Sequence, residues 1–157
     1  MVIKAFKQEL SGKFKMKDLG ALTHILGVEV KRDRQQGVLT LHQGGFIKQV
    51  LERFGMANCN PTKLPLPPGL TFHQDDEPLT PPTPEQITEF RGKIGSLIYA
   101  MKHTRPDIAH ALGVLAKHMG NPGTAHIKAL LQLFRYLRGT VDHGICYVRR
   151  VNPELEG

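Results

Sequence analysis

Apolar residues at the start of the chain recur with the period of a helix. Ile3, Phe6, Leu10 and Phe14 lie three or four residues apart, with lysines between them, a pattern that predicts an amphipathic helix. Gly12 weakens the far end of this helix because glycine is a poor helix former. We therefore expect the helix to end near Leu10 or to continue raggedly to Phe14.

The pattern then changes to that of strands. Residues 25–30 and 38–41 are rich in β-branched and apolar side chains, and the polar residues 31–37 lie between them. This arrangement predicts a β-hairpin, with Gly37 supplying the turn. Near the end of the chain, residues 145–148 also alternate like a strand.

The remaining apolar pattern predicts one helix before a proline-rich stretch and three helices after it. Residues 46–54 trace a helical face, and Gly55 follows where a helix-ending glycine belongs. Residues 60–84 hold eight of the chain's eleven prolines, so we expect an extended connector without regular structure. Three threonines are predicted to cap the later helices: Thr83, Thr104 and Thr124. The whole pattern predicts an α+β fold with a helical second half.

Charge is distributed unevenly along the 157 residues, whose formal net charge is +7. Residues 1–50 carry nine Lys and Arg against four Asp and Glu, residues 51–90 two against six, and residues 91–157 ten against four. Two basic segments therefore flank an acidic connector, and a basic balance favours polyanionic partners. No apolar run approaches the roughly 20 residues of a membrane span. The two cysteines stand in unrelated contexts, which fits a reducing, intracellular compartment.

Residues 75–77 (DDE) are the first candidates for chemistry, because adjacent carboxylates can hold cations. Polymerisation by two metal ions needs carboxylates on a rigid element, converging on cations roughly 4 Å apart. These three residues instead lie among prolines, so we interpret them as a solvated acidic loop, with weak incidental cation binding as the alternative. The eight histidines follow no Cys-x-x-Cys or His-Glu-x-x-His pattern, and no metal site is predicted.

A series of short motifs resembles the reverse transcriptases of copia-type retrotransposons. Residues 14–20 (FKMKDLG) and 26–30 (LGVEV) are similar to that family's F-x-M-K-D-L-G and F-L-G-I-E-V motifs, although His24 and Ile25 stand where the family usually has an aromatic pair. Further stretches resemble family motifs in the same order: residues 37–43 (GVLTLHQ), 90–99 (FRGKIGSLIY), 104–109 (TRPDIA) and 126–140, which end in RYLRGT. Six motifs in order are far more specific than any one of them.

The resemblance implies the end of a polymerase palm, the primer grip, the thumb and the start of the connection. It predicts residues 1–58 as a palm-end and primer-grip remnant, 59–83 as the proline-rich connector, 84–140 as a helical thumb-like region, and 141–157 as a strand and tail leading toward an RNase H domain. The family's catalytic Tyr-x-Asp-Asp box is not among the 157 residues. The resemblance therefore implies no catalytic residue in this chain and no cofactor of its own, although the intact family enzyme would use Mg²⁺.

Seven residues are candidates for contacts with nucleic-acid phosphates. Lys31, Arg32 and Arg34 crowd the predicted hairpin tip, and a hairpin at this place in reverse transcriptases contacts the primer backbone. Three residues share a face of the last helix, with Arg138 at its edge: Lys128, Gln132 and Arg135. The opposite, apolar face consists of Ile127, Leu130, Phe134 and Leu137. An ordinary solvated surface is the alternative at both places. Asp107 is assigned instead to a helix N-terminus, where its charge suits the helix dipole.

Two functional hypotheses follow. The first is a non-catalytic fragment of a copia-type polyprotein that binds primer–template duplex without sequence preference, favours an RNA–DNA hybrid and depends on salt. The second is a domesticated or remnant interaction module that self-associates through the exposed edge of the palm hairpin. No membrane partner is predicted. The intracellular location is left open between a cytoplasmic particle and the nucleus.

Overall fold

The computed structural model describes residues 2–72, 78 and 80–149. Within these residues the elements are α1 (Val2–Lys13), β1 (His24–Ile25), β2 (Val28–Asp33), β3 (Val38–His42), α2 (Gly44–Arg53), α3 (Pro84–His103), α4 (Ala109–Ala116), α5 (Thr124–Gly139) and β4 (Gly144–Val148). A short 3-10 turn, Pro106–Ile108, joins α3 to α4. The predicted α+β class is confirmed. The acidic residues 75–77 lie outside the described residues, as does most of the tail after Val148.

The strands form one antiparallel sheet in the order β1-β2-β3-β4. Leu39 of β3 pairs with Arg32 of β2 on one side and with Tyr147 of β4 on the other. The last strand therefore covers the edge of the N-terminal hairpin. Gly144 suits the start of β4, because a Cβ at this position would overlap the carbonyl oxygen of Leu41.

The single strand predicted over residues 25–30 is wrong, because the chain turns at Leu26 and Gly27. Both residues have positive φ, 48° and 71°, and β1 is a two-residue strand that folds back on β2. The hairpin loop is also shorter than predicted. Lys31, Arg32 and Asp33 belong to β2, so only residues 34–37 make the turn, which Gly37 closes with a φ of 67°.

Helices α2 to α5 share one hydrophobic core. Ile47 of α2, Ile94 of α3, Leu112 of α4 and Phe134 of α5 are almost completely buried within it. Three residues of the connector pack against this core: Leu66, Leu70 and Phe72. The described part of the connector thus lacks helix and strand, as expected, yet lies against the helices. Ile127 departs from its predicted buried position and is 36% exposed, because the buried face of α5 is centred nearer Leu133.

One of the three predicted threonine caps is confirmed. Thr83 accepts a hydrogen bond from the backbone of Gln86, and the Gln86 side chain accepts one from the backbone of Thr83. The other two are wrong. Thr104 ends α3 and donates its hydroxyl to Gln43, 2.9 Å away. Before α5, the imidazole of His126 accepts from the backbone N–H of Gly123, which occupies the position predicted for Thr124.

The side chain of Glu29 fixes the start of α2. Its carboxylate accepts a hydrogen bond from the backbone N–H of Gly45 at 2.9 Å and lies 3.7 Å from the ring of the buried His42. The Gly45 hydrogen bond lowers the pKa of Glu29 more than burial raises it. The acidic residue of the LGVEV motif thus joins the sheet to the N-terminus of α2, where a negative charge is favourable.

A buried arginine joins the ends of α3 and α5. Arg105 is 1% exposed and donates hydrogen bonds to both carboxylate oxygens of Asp107, at 3.0 and 2.8 Å. Its two terminal nitrogens also donate to the backbone oxygen and the hydroxyl of Thr140, at 2.8 and 2.7 Å. The hydroxyl of Tyr136 donates to Asp107 at 2.8 Å. Asp107 therefore serves as the counter-ion of a buried cation. It also lies in the 3-10 turn that leads into α4, so its predicted place near a helix N-terminus is confirmed, whereas the predicted cap by Thr104 is wrong.

The N-terminal segment leaves large apolar side chains exposed. α1 reaches Lys13, within the predicted range, and the side chain of Lys7 pairs with Asp18 at 2.8 Å. Ile3, Phe6 and Leu19 nevertheless remain 70%, 59% and 84% exposed. Several large apolar side chains exposed within one short segment favour a binding partner.

We predict that Asp107→Asn destabilises the fold by about 1.5–3 kcal/mol at neutral pH, because it weakens charge-assisted hydrogen bonds to a buried cation. Partial burial raises the pKa of Asp107. The hydrogen bonds from Arg105 and Tyr136 and the charge of Arg105 together lower it by more, so the pKa lies below its usual value. The contribution of Asp107 is therefore full above the unfolded-state pKa of about 3.9. It is lost as pH falls through the lower folded-state value.

Urea unfolding followed by circular dichroism at several pH values measures this difference. Asp142→Asn, which removes an exposed carboxylate nearby, is the control and should change stability by less than about 0.5 kcal/mol. Equal effects of the two substitutions would contradict the role given to Arg105 and Asp107.

Candidate nucleic-acid interface

The three cations of the hairpin are exposed, and the strand period places two of them on opposite faces. Lys31 pairs with Thr40 and Arg32 with Leu39, so their side chains leave the sheet in opposite directions. Arg34 lies in the turn itself. The hairpin tip therefore presents positive charge around its circumference, which suits contact with a phosphate backbone and contributes no base recognition.

The only carboxylate of the tip is bound by the turn. Asp33 accepts hydrogen bonds from the backbone N–H groups of Gln35 and Gln36, at 2.8 and 2.9 Å. A fourth cation lies close by, since the backbone N–H of Arg149 donates to the oxygen of Gly37 at 2.8 Å. The sequence analysis missed Arg149. The pairing of β3 with β4 is what brings it to the hairpin, and no local signal predicts that pairing.

The candidate residues of α5 face the connector. Arg135 donates from Nε to the carbonyl oxygen of Asn60, and Arg138 donates from Nε to that of Ala57, both at 2.7 Å. Gln132 donates to the carbonyl oxygen of Leu64 at 3.4 Å. Three side chains spaced three residues apart thus bind three carbonyl groups of one irregular segment. We call this arrangement the connector ladder.

The connector ladder leaves charge available to solvent. Only Nε of each arginine is used in it, so the two terminal nitrogens of each guanidinium keep N–H groups that can reach an anion. Arg138 is exposed and Arg135 half-buried, while Lys128 is exposed on the preceding turns of α5.

A cavity of about 650 Å³ lies where α5 ends beside α2. Lys48 and Arg138 line it together with the carboxylates of Glu52 and Asp142. The two cations and two carboxylates that line the cavity balance one another, so the cavity does not favour an anion. Within the described residues no group of three or more His, Cys, Asp or Glu side chains is placed to hold a metal ion, and the acidic residues 75–77 lie outside that part of the chain.

The turn at Leu26 and Gly27 is a feature that the sequence analysis did not single out. Leu26 is 81% exposed, and its backbone has a left-handed conformation. This conformation costs a residue with a side chain roughly 1–2 kcal/mol. Its carbonyl oxygen accepts the hydroxyl of Tyr99 at 2.6 Å, which holds the turn in place. An isolated glycine within a predicted strand was the available signal. Strained exposed turns are common at binding sites.

The matches to known proteins include a reverse transcriptase family model and several transposon polyproteins. The family model described as "Reverse transcriptase (RNA-dependent DNA polymerase)" matches residues 1–68. The chain is 40% identical over 148 residues to the Retrovirus-related Pol polyprotein from transposon TNT 1-94 of Nicotiana tabacum, covering 93% of this chain and 11% of that protein. It is 34% identical over 137 residues to an uncharacterized mitochondrial protein of Arabidopsis thaliana, covering 87% and 54%. No solved structure matches the chain.

The class to which these matches point is reverse transcriptase. More particularly, the chain belongs to the copia-type retrotransposon reverse transcriptases. It is also similar to the Retrovirus-related Pol polyprotein from transposon RE1 of Arabidopsis thaliana, at 38% identity over 138 residues, covering 87% of this chain and 9% of that protein. The predicted family is confirmed. The chain spans 11% of the length of the tobacco polyprotein. Each helix among the described residues is too short or too polar to span a lipid bilayer.

We predict that replacing Arg135 and Arg138 by leucine loosens the connector. Each lost hydrogen bond contributes about 1 kcal/mol, so the two together contribute about 2 kcal/mol. Trypsin should therefore cleave after the exposed Lys63 roughly thirtyfold faster in the double variant, because local opening precedes cleavage. Mass spectrometry of timed digests measures the rate. Lys128→Leu removes a cation from the same helix without touching the connector ladder and should leave cleavage at Lys63 unchanged.

Proposed function

We propose that the chain binds the phosphate backbone of a primer–template duplex, without polymerase chemistry of its own. The observation that carries this proposal is the connector ladder. It fixes two guanidinium groups by their Nε atoms, and their terminal N–H groups take no part in it. An arginine held in this way loses less side-chain entropy on binding a phosphate than a free one.

The hairpin tip supplies the second contact surface. Its exposed cations and the neighbouring Arg149 lie beside a carboxylate whose acceptor capacity is partly used by the turn. The excess of lysine and arginine on residues 1–50 and 91–157 supports the same partner. Base-reading side chains are not part of the proposal, so we expect binding that tolerates any sequence and favours an RNA–DNA hybrid through its shape.

We expect the affinity for an RNA–DNA hybrid to fall steeply with salt, in proportion to the phosphates contacted. Arg138→Gln should weaken binding at every sequence and reduce the slope of log K against log salt by about 1. Fluorescence anisotropy with a labelled hybrid duplex at several salt concentrations measures both quantities. The matched control is Arg53→Gln, which removes an exposed cation from the last turn of α2.

Binding that ignores salt, or an equal loss in the Arg53 and Arg138 variants, would contradict the assignment of α5. A combined substitution of Lys31, Arg32 and Arg34 by glutamine tests the hairpin separately. It should reduce the slope by up to about 3. Chelation of divalent cations should leave the affinity unchanged, since no metal takes part in the proposed contacts.

We expect no primer extension by the chain alone, with Mg²⁺ and deoxynucleotides supplied. The 157 residues hold no Tyr-x-Asp-Asp box, and two-metal polymerisation needs carboxylates that converge on both cations. An extension assay on a labelled primer–template provides the measurement. Extended primer that disappears when Asp75 and Asp76 are changed to asparagine would overturn this expectation, because it would assign the acidic doublet a catalytic role.

A further inference from the structure

β4 presents an unprotected strand edge. Its inner edge pairs with β3, and among the described residues no strand pairs with its outer edge. Natural edge strands are commonly short or interrupted by lysine, proline or a bulge, which prevents pairing with other chains. β4 has none of these features. Its five residues, GICYV, include no charge and no proline, and Tyr147 and Val148 are 54% and 64% exposed.

The opposite edge of the sheet, formed by β1, is better protected against pairing with another chain. β1 has two residues, and the strained turn at Leu26 and Gly27 follows it directly. Association through the sheet would therefore use β4. The hairpin edge considered in the sequence analysis is not available for this, because β4 itself covers β3.

We propose that β4 pairs antiparallel with β4 of a second copy of the chain, about a two-fold axis at Cys146, and so joins two four-stranded sheets into one. A two-fold axis perpendicular to the sheet places Cys146 opposite its own symmetry mate and keeps the faces of both sheets aligned. Cys146 is the middle residue of the strand, so this register pairs all five residues. Any register shifted along the strand leaves some of them unpaired.

The side chains opposite one another in this register are compatible. Tyr147 faces Ile145 of the second copy, an aromatic and β-branched pair that stabilises antiparallel sheets. Val148 faces Gly144, which leaves room for its branched side chain. Arg149 faces His143, so no two arginines oppose each other. Edge pairing buries less surface than a standard interface, so we expect a weak dimer that forms as concentration rises.

The test is sedimentation of the full chain without nucleic acid, from about 10 µM to about 500 µM, a range that covers weak dimers. The wild type should associate reversibly. Cys146→Lys places two like charges opposite each other on the axis and should weaken association at least about tenfold. Gln36→Lys adds the same charge in the exposed hairpin turn, away from β4, and should associate like the wild type.

A wild type that stays monomeric across this range would overturn the proposal. So would a Cys146→Lys variant that dimerises as strongly as the wild type, since association would then use another surface, such as the apolar N-terminal segment. Circular dichroism of each variant establishes that it is folded before sedimentation is compared.

Oxidative cross-linking tests the register without altering the strand. Opposite residues of antiparallel strands have Cα atoms about 4.5 or 5.5 Å apart, within the range for a disulfide. Diamide accepts two electrons and two protons from a pair of Cys146 thiols and becomes its hydrazine, leaving one S–S bond. Cys59→Ser should still give a covalent dimer on a non-reducing gel, and Cys146→Ser should not. No dimer from Cys59→Ser would refute the pairing at Cys146.

Discussion

The buried guanidinium of Arg105 is the constraint on which the arrangement of the helices depends. A charge removed from water is tolerated only when other groups satisfy its donors, and here one carboxylate and one threonine do so. Because Asp107 lies just after α3 and Thr140 just after α5, satisfying Arg105 holds the ends of both helices together. The same contact fixes where the chain leaves α5, and four residues later β4 begins.

Several of the sequence motifs typical of the family contact one another in the structure. Arg105 and Asp107 of one motif meet Tyr136 and Thr140 of another, and Gly27 lies against the hydroxyl of Tyr99. Glu29 holds the first turn of α2. These contacts join positions far apart in sequence. They give a structural reason for the presence of these motifs.

Local signals predicted the elements whose causes are local. The capping box at Thr83 and the glycine after α2 needed no distant partner, and both helices appear as expected. The predictions that were wrong concern residues whose conformation depends on partners far away in the sequence. The hydroxyl of Thr104 donates a hydrogen bond to Gln43, which lies 61 residues away in the chain. Leu26 takes a left-handed conformation that leucine disfavours, with the hydroxyl of Tyr99 on its carbonyl. The polar face of α5 was placed correctly opposite its apolar face, but no pattern in the sequence shows that backbone carbonyls of the connector lie on it.

The connector ladder also gives a coil segment a defined length. Its three carbonyl groups meet donors that rise along α5 at a fixed spacing, and a helix cannot change that spacing to follow a longer or shorter partner. Inserting or deleting one residue between Ala57 and Leu64 would therefore move at least one carbonyl away from its donor. Coil segments generally tolerate changes in length, whereas this one should accept substitutions far more readily than insertions or deletions.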